Sequence, residues 1–271
     1  MCRWLAYSGA PLYLEELLFK PSHSLIDQSL HAHYAEETTN GDGFGIGWYG
    51  SRGTPGIYRS IRPAWNDRNL IDLAAQIDSS MFIAHVRATT GSEVEETNCH
   101  PFRHGNWLFV HNGEIRSFKK IRRELMFKIN PELFNEIEGT TDSEIMFQLA
   151  LTYGLEQEPI PALERMAGEI ERVAAEHDIE HPIQMTLGLT DGTHMYAVRY
   201  SSEGHSRTLF CSEHMDALKS LYPELEPFSS DARAVVSEPI GGLVDNWMEI
   251  PEASATIVEG GHLESLPFSP S

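Results

Sequence analysis

Cys2 follows Met1 directly, so removal of one residue would put a thiol nucleophile and a free α-amine on the same amino acid. Their reference pKa values nearly match, about 8.5 for the thiol and about 7.7 to 8.0 for the amine, so a proton passes between them cheaply near neutral pH. The amine lies two bonds from Cβ, which favours a relaying water over a direct linear hydrogen bond. The plainer reading is a small apolar residue in a strand. Arg87 closes an apolar run, Met81-Phe82-Ile83-Ala84, where a guanidinium needs a planar anionic partner. That partner is either a ligand carboxylate or one of the chain's forty acidic side chains. His111-Asn112-Gly113-Glu114 ends another apolar run. Asn-Gly there reads as a tight hairpin turn, or as an oxyanion hole made of the Asn112 amide and the Gly113 N–H. Thr141-Asp142-Ser143-Glu144 fits a capping box from Thr141 to Glu144, with Asp142 set against the helix dipole. Asp142 acquires a further role only if it also meets a substrate ammonium.

These groups need strands and helices to position them. Strands are expected over Cys2–Ser8, Phe44–Tyr49, Ile57–Ile61, Met81–Ala88 and Asn106–His111. Helices are expected over Leu12–Phe19, Leu25–His33, Phe118–Lys128, Ser143–Tyr153 and Pro161–His177, the last with Leu163, Met166, Ile170 and Val173 on one face. Ile183–Leu189 and His194–Tyr200 flank the turn pair Asp191-Gly192, and Thr256–Leu266 turns at Gly260-Gly261. Arg207–Cys211 and Ala232–Val236 add strands. Hairpins outnumber βαβ units, which predicts an α+β fold of mainly antiparallel sheets in one domain over 1–271. The glycines of Gly41-Asp42-Gly43-Phe44-Gly45-Ile46-Gly47 alternate, so an extended chain leaves bare backbone on one face for something to approach. Their register suits neither a dinucleotide fingerprint nor a Walker loop.

The formal charge of -20 opposes phosphate backbones and anionic membranes and favours small-molecule or protein partners. No apolar run approaches a membrane span and no signal-peptide core follows Met1, so a soluble, cytoplasmic protein is expected. Cys2, Cys99 and Cys211 are odd in number and lack CxxC spacing, in keeping with free thiols.

In combination these segments resemble the class II glutamine amidotransferases of the N-terminal-nucleophile hydrolase group, above all the stand-alone YafJ-like branch, which includes enzymes that cleave γ-glutamyl compounds. The resemblance rests on Met1-Cys2-Arg3-Trp4-Leu5-Ala6-Tyr7, Asp42-Gly43-Phe44-Gly45-Ile46-Gly47-Trp48-Tyr49, His85-Val86-Arg87-Ala88, Asn98-Cys99-His100-Pro101-Phe102, His111-Asn112-Gly113-Glu114-Ile115 and Thr141-Asp142-Ser143-Glu144. Ser237-Glu238-Pro239-Ile240 with Trp247 is similar to the branch's C-terminal signature. The resemblance implies a four-layer αββα sandwich and no cofactor. It implies attack by Cys2 on a γ-carboxamide, with its α-amine as base, and an oxyanion hole of Asn112 and Gly113. Arg87 would clamp the substrate α-carboxylate, Asp142 would receive the α-ammonium, and Thr89, Thr90 and His100 would line the pocket. Arg3 after Cys2 and Ala88 after Arg87 depart from the pattern of the synthase-fused members. Ammonia would be released or passed to a separate protein partner, and a γ-glutamyl hydrolase acting on a glutathione-like or γ-glutamyl thiol compound uses the same groups.

Two other readings compete. His177-Asp178-Ile179-Glu180-His181 matches the H-x-x-E-H pattern of inverted zinc peptidases, though Pro182 pushes His181 out of the helix. A binding subunit without turnover would keep the pocket, and the presence of Cys2, Asn112 and Asp142 together argues against it.

Overall fold

The computed structural model describes residues 2–31, 39–89, 92–223, 225, 228–242 and 244–271. In chain order the strands are β1 (Arg3–Tyr13), β2 (Phe44–Trp48), β3 (Gly56–Ser60), β4 (Asp78–Val86), β5 (Phe102–His104), β6 (Trp107–Ile115), β7 (Ile183–Thr190), β8 (Met195–Ser201), β9 (Phe210–Ser212), β10 (Arg233–Val236), β11 (Trp247–Glu249), β12 (Ser254–Glu259) and β13 (His262–Pro267). The helices are α1 (Glu15–Leu18), α2 (Leu25–Leu30), α3 (Arg68–Ala74), α4 (Phe118–Lys128), α5 (Asp142–Thr152), α6 (Pro159–Ala175) and α7 (Asp216–Leu221). Seven strands form one sheet in the order β11-β9-β10-β1-β4-β2-β3, and six form another in the order β13-β12-β8-β7-β6-β5. The pairings are antiparallel.

Side-chain alternation along each strand builds the layers. Trp4 and Ala6 of β1, Ile83 of β4, Leu108 and Val110 of β6, and Val235 of β10 meet between the two sheets. Leu5, Tyr7, Phe82 and Ala84 point the other way, onto an apolar layer that includes α1, α2, α3 and α7. Phe109, Leu187 and Leu189 pack on the opposite outside face against α4, α5 and α6. Helix, sheet, sheet and helix therefore stack as the expected αββα sandwich. Each large side chain buried this way contributes about 1.5–3 kcal/mol. Trp4 also satisfies its indole N–H on Thr186 Oγ1 across the sheets, at 3.2 Å.

Several local expectations change. The helix expected over Leu12–Phe19 shrinks to α1, because β1 continues after an irregularity and pairs Leu12 with Ser79 and Tyr13 with Asp78. Its leucines are buried under either periodicity, and strand pairing decides. Asn112-Gly113 is not a turn: β6 runs through both, opposite Thr186 and Met185 of β7. Gly113 has φ +141, and a Cβ there would lie 1.8 Å from Gln184 O, so only glycine fits. The bare face of the alternating glycines is covered by the chain itself. A Cβ on Gly45 would meet His100 O at 2.1 Å, and one on Gly47 would meet Leu108 Cδ1 at 2.7 Å. The hairpins at Asp191-Gly192 and Gly260-Gly261 form as expected. The end of the helix expected over Leu25–His33 falls partly outside the described residues.

Candidate active site

The same alternation gathers the site. Cys2 shares the inter-sheet side of β1 with Trp4 and Ala6, as His85 and Arg87 share that of Ile83, and Asn112 that of Leu108 and Val110. The three strands thus bring these side chains to one end of the inter-sheet layer. Arg3 pairs with Val86, which sets Cys2 beside Ala88. The Ala88 N–H donates to Cys2 Sγ at 3.4 Å, and Ala88 O lies 3.4 Å from the same sulfur. A cavity of about 560 Å³ opens there, lined by Cys2, Arg87, Thr89, His100, Gly113 and Asp142 together with Ser92, Glu93, His111 and Ser143. Six of the eight residues expected at the site therefore share one cavity. Thr90 lies outside the described residues. Asn112 is buried just behind the wall, where its Nδ2 donates to Ser237 Oγ at 2.9 Å.

Arg87 is 3% exposed. Its guanidinium donates to Asp42 O at 3.3 Å, Ser92 Oγ at 2.6 Å and Glu93 O at 3.1 Å. Among the described residues no carboxylate stands within 4 Å of it, so of the two partners expected for it the acidic side chain of the chain itself is not found. Thr89 is held by its neighbours: its N–H donates to Asp42 Oδ2 at 2.8 Å and its hydroxyl to Ser92 O at 2.9 Å.

Asp142 opens α5. Its Oδ2 accepts the Ile115 N–H at 2.8 Å, and its Oδ1 accepts the Ser143 N–H at 2.8 Å. Thr141 caps the helix through the Glu144 N–H, but Glu144 turns back to the N–H groups of Glu138 and Gly139. Only half of the expected capping box is present.

Three buried histidines flank these groups. His85 and His100 pack ring against ring, tilted by 33° with centroids 4.2 Å apart, and His100 and Phe102 meet edge to face at 4.7 Å. Among the described residues neither ring places a nitrogen in hydrogen-bond geometry, although the His111 backbone and the Asn112 side chain lie close to His85. Burial first, then the Arg87 charge, pushes His85 down to about 3. Burial first, then its histidine neighbours, holds His100 well below the usual histidine range. His111 Nδ1 pairs with Ser143 Oγ at 2.8 Å, and burial lowers its pKa while Asp142 opposes the shift. All three rings are therefore neutral walls near pH 7.

Asp42, His85 and Ser143 stand in the motifs quoted above without a role assigned to them, and Ser92 stands outside those motifs. Alternation with Arg87 marks His85 in retrospect, while the others reach the site through loops and a helix start. His177 and His181 do not share a helical face: α6 ends at Ala175 and His181 has φ +48. His177 instead pairs with Glu124 and His181 with Ser202 O.

The profile of the family described as glutamine amidotransferases class-II matches residues 19–212, most of the chain. The chain belongs to the class-II glutamine amidotransferases. It is similar to a Saccharomyces cerevisiae protein named "Probable glutamine amidotransferase DUG3", with 43% identity over 160 residues, 56% of this chain and 45% of that protein. It is also similar to the gamma-glutamyl-hercynylcysteine sulfoxide hydrolase of Mycolicibacterium smegmatis, with 32% identity over 158 residues, 58% of this chain and 65% of that protein. These matches thus span about half to two thirds of the two relatives. Among solved structures, a glutamine aminotransferase class-II domain protein from Silicibacter pomeroyi superimposes with a TM-score of 0.75 at 29% identity, covering 99% of this chain and 100% of that one. The glutamine phosphoribosylpyrophosphate amidotransferase of B. subtilis shares the fold, with a TM-score of 0.63 at 14% identity over 100% of this chain and 50% of its own. Among the described residues of this family member, no helix is long and apolar enough to cross a membrane.

Proposed function

We propose that this chain hydrolyses the γ-amide of glutamine or of a related γ-glutamyl compound through Cys2, once Met1 has been removed. The observation that carries the reading is Arg87: a buried guanidinium without a carboxylate partner among the described residues, in the cavity that also holds Cys2 and Asp142. A glutamyl group supplies the α-carboxylate for Arg87 and the α-ammonium for Asp142, and its side chain then extends toward the thiol. In this account the α-amine of Cys2 takes the thiol proton through a water, and the sulfur attacks the γ-carbonyl carbon. Asn112 and the Gly113 N–H stabilise the tetrahedral oxyanion. Collapse expels ammonia or an amine, which leaves with the proton now held on the α-amine of Cys2, and a γ-glutamyl thioester remains. Water attacks the thioester with the same amine as base, releasing glutamate and the free thiol.

Family membership supports the glutamyl half of the substrate. The name of the mycobacterial relative supports a γ-glutamyl compound larger than glutamine as an alternative. Both chemistries use the same clamp, and ammonia is either released or accepted by a separate protein. Glutamine, γ-glutamyl peptides and glutathione, each scored for glutamate release with Cys2→Ala as control, test the proposal. Cys2-dependent release from at least one compound supports it, and release from none, or release that survives Cys2→Ala, overturns it.

A further inference from the structure

Two sequence features play no part in this chemistry: Arg3 directly after Cys2, and Ser237-Glu238 near the C-terminal end. The structure joins them. Ser237 extends the β1–β10 ladder by donating its N–H to Trp4 O at 3.0 Å and accepting the Trp4 N–H on its hydroxyl, also at 3.0 Å. The same hydroxyl accepts the Asn112 Nδ2 amide at 2.9 Å, from a strand of the other sheet. Glu238, fully buried, binds Arg3 Nε at 2.7 Å and its terminal nitrogen at 2.6 Å. Arg3 in turn donates to Cys2 O at 2.8 Å. His23 Nε2 meets the second Glu238 oxygen at 3.0 Å, and Gln28 donates to Glu238 O at 3.2 Å.

Two adjacent residues thus hold the two halves of the proposed chemistry. One fixes the amide of Asn112, and the other, through Arg3, fixes the carbonyl of Cys2. A buried ion pair is an inefficient stabiliser compared with apolar packing, but it does fix direction. We infer that Ser237 and Glu238 are positioning residues: Ser237 aims the Asn112 amide at the oxyanion, and Glu238 sets the backbone of Cys2 through Arg3. The inference rests on the roles proposed above for Cys2 and Asn112. The glutamyl clamp lies on other segments, so loss of positioning falls on kcat and spares KM.

A double-mutant cycle of Ser237→Ala with Asn112→Ala tests the first arm, using the best substrate of the panel above and rates per folded molecule. Ser237→Ala should lower kcat roughly tenfold or more, as expected for a misplaced catalytic group, with little change in KM. In the Asn112→Ala background the same substitution should cost less than about threefold, because the group it aims is gone. Equal losses in both backgrounds, or a loss confined to KM, overturn the role of Ser237. Glu238→Gln should lower kcat in both backgrounds, since it acts through Arg3 and Cys2. Loss of its effect beside Asn112→Ala, or no effect on kcat, overturns the second arm. If Glu238→Gln does not fold, Arg3→Lys keeps a charge opposite Glu238 and carries the same test. Turnover that survives Cys2→Ala breaks the underlying assignment, and is thereby distinguished from a failure of the positioning roles.

Discussion

Arg87→Lys keeps the charge of the proposed clamp and removes its planar fork. In the structure the guanidinium gives three hydrogen bonds, to Asp42 O, Ser92 Oγ and Glu93 O. A guanidinium has about five donors, which leaves about two for a ligand carboxylate. A hydrogen bond to a charged group is worth about 1.5–3 kcal/mol, so two amount to about 3–6 kcal/mol. That is roughly two to four powers of ten in kcat/KM. The ammonium of a lysine has about three donors, and the oxygens that already hold Arg87 compete for them. Arg87→Lys should therefore fail nearly as badly as Arg87→Ala. The assay compares γ-amide cleavage of glutamine with that of an analogue whose α-carboxylate is amidated. Wild type should lose most of its rate with the amidated analogue, and Arg87→Ala should lose much less. Equal proportional losses in both proteins would refute the carboxylate clamp.

Asp142→Asn retains one acceptor oxygen for Ile115 or Ser143, so the fold should lose about 1–2 kcal/mol while kcat/KM falls by about 3–5 kcal/mol equivalent, read by melting and kinetics in parallel. A melting loss as large as the kinetic one would make Asp142 a helix-start residue alone. His85 is held down to about 3 in the fold, so the unfolded chain binds more protons below its ordinary pKa of about 6.5. Stability from this residue is then complete above about pH 6.5 and falls as the pH drops toward 3, by about 1.4 kcal/mol per unit. Denaturant titrations from pH 7 to 4 should show at least that slope, because His100 and His111 are lowered as well, and a folded His85→Asn variant should lessen it; an unchanged slope would mean that His85 is not among the titrating groups. Gly113→Ala should cost at least about 2 kcal/mol and abolish activity, because φ +141 and the Gln184 carbonyl leave no room for a methyl. A stable, active variant would show that β6 is not held in this register.

The layers were legible where alternation was strong, as in Trp4 and Ala6 against Leu5 and Tyr7, and where Asp191-Gly192 sits between two apolar runs. Leu12, Leu14, Leu17 and Leu18 are all buried, so their spacing could not separate strand from helix, and pairing with Ser79 and Asp78 settled it. Asn112-Gly113 has turn propensity, yet its place opposite Thr186 and Met185 overrides that local preference. Helix α3 is not among the expected helices, although Asp67 caps it through the Leu70 N–H. For the site, residue types and the family resemblance reached Cys2, Arg87 and Asp142, whose charges and nucleophile are legible one by one. The supports were not legible, because Cys2 reaches Ala88 and Asn112 reaches Ser237 only after the chain has folded back on itself. Sequence spacing carries no trace of such contacts.

The proposed chemistry requires Cys2, exposed as the first residue, to form the covalent intermediate. Acid quenching of the working protein with its best γ-glutamyl substrate, followed by peptide mass analysis, traps that species. A γ-glutamyl adduct is expected on a peptide that begins at Cys2, and it should disappear together with turnover in Cys2→Ala. An adduct on another residue, or full activity in protein that retains Met1, would contradict that chemistry.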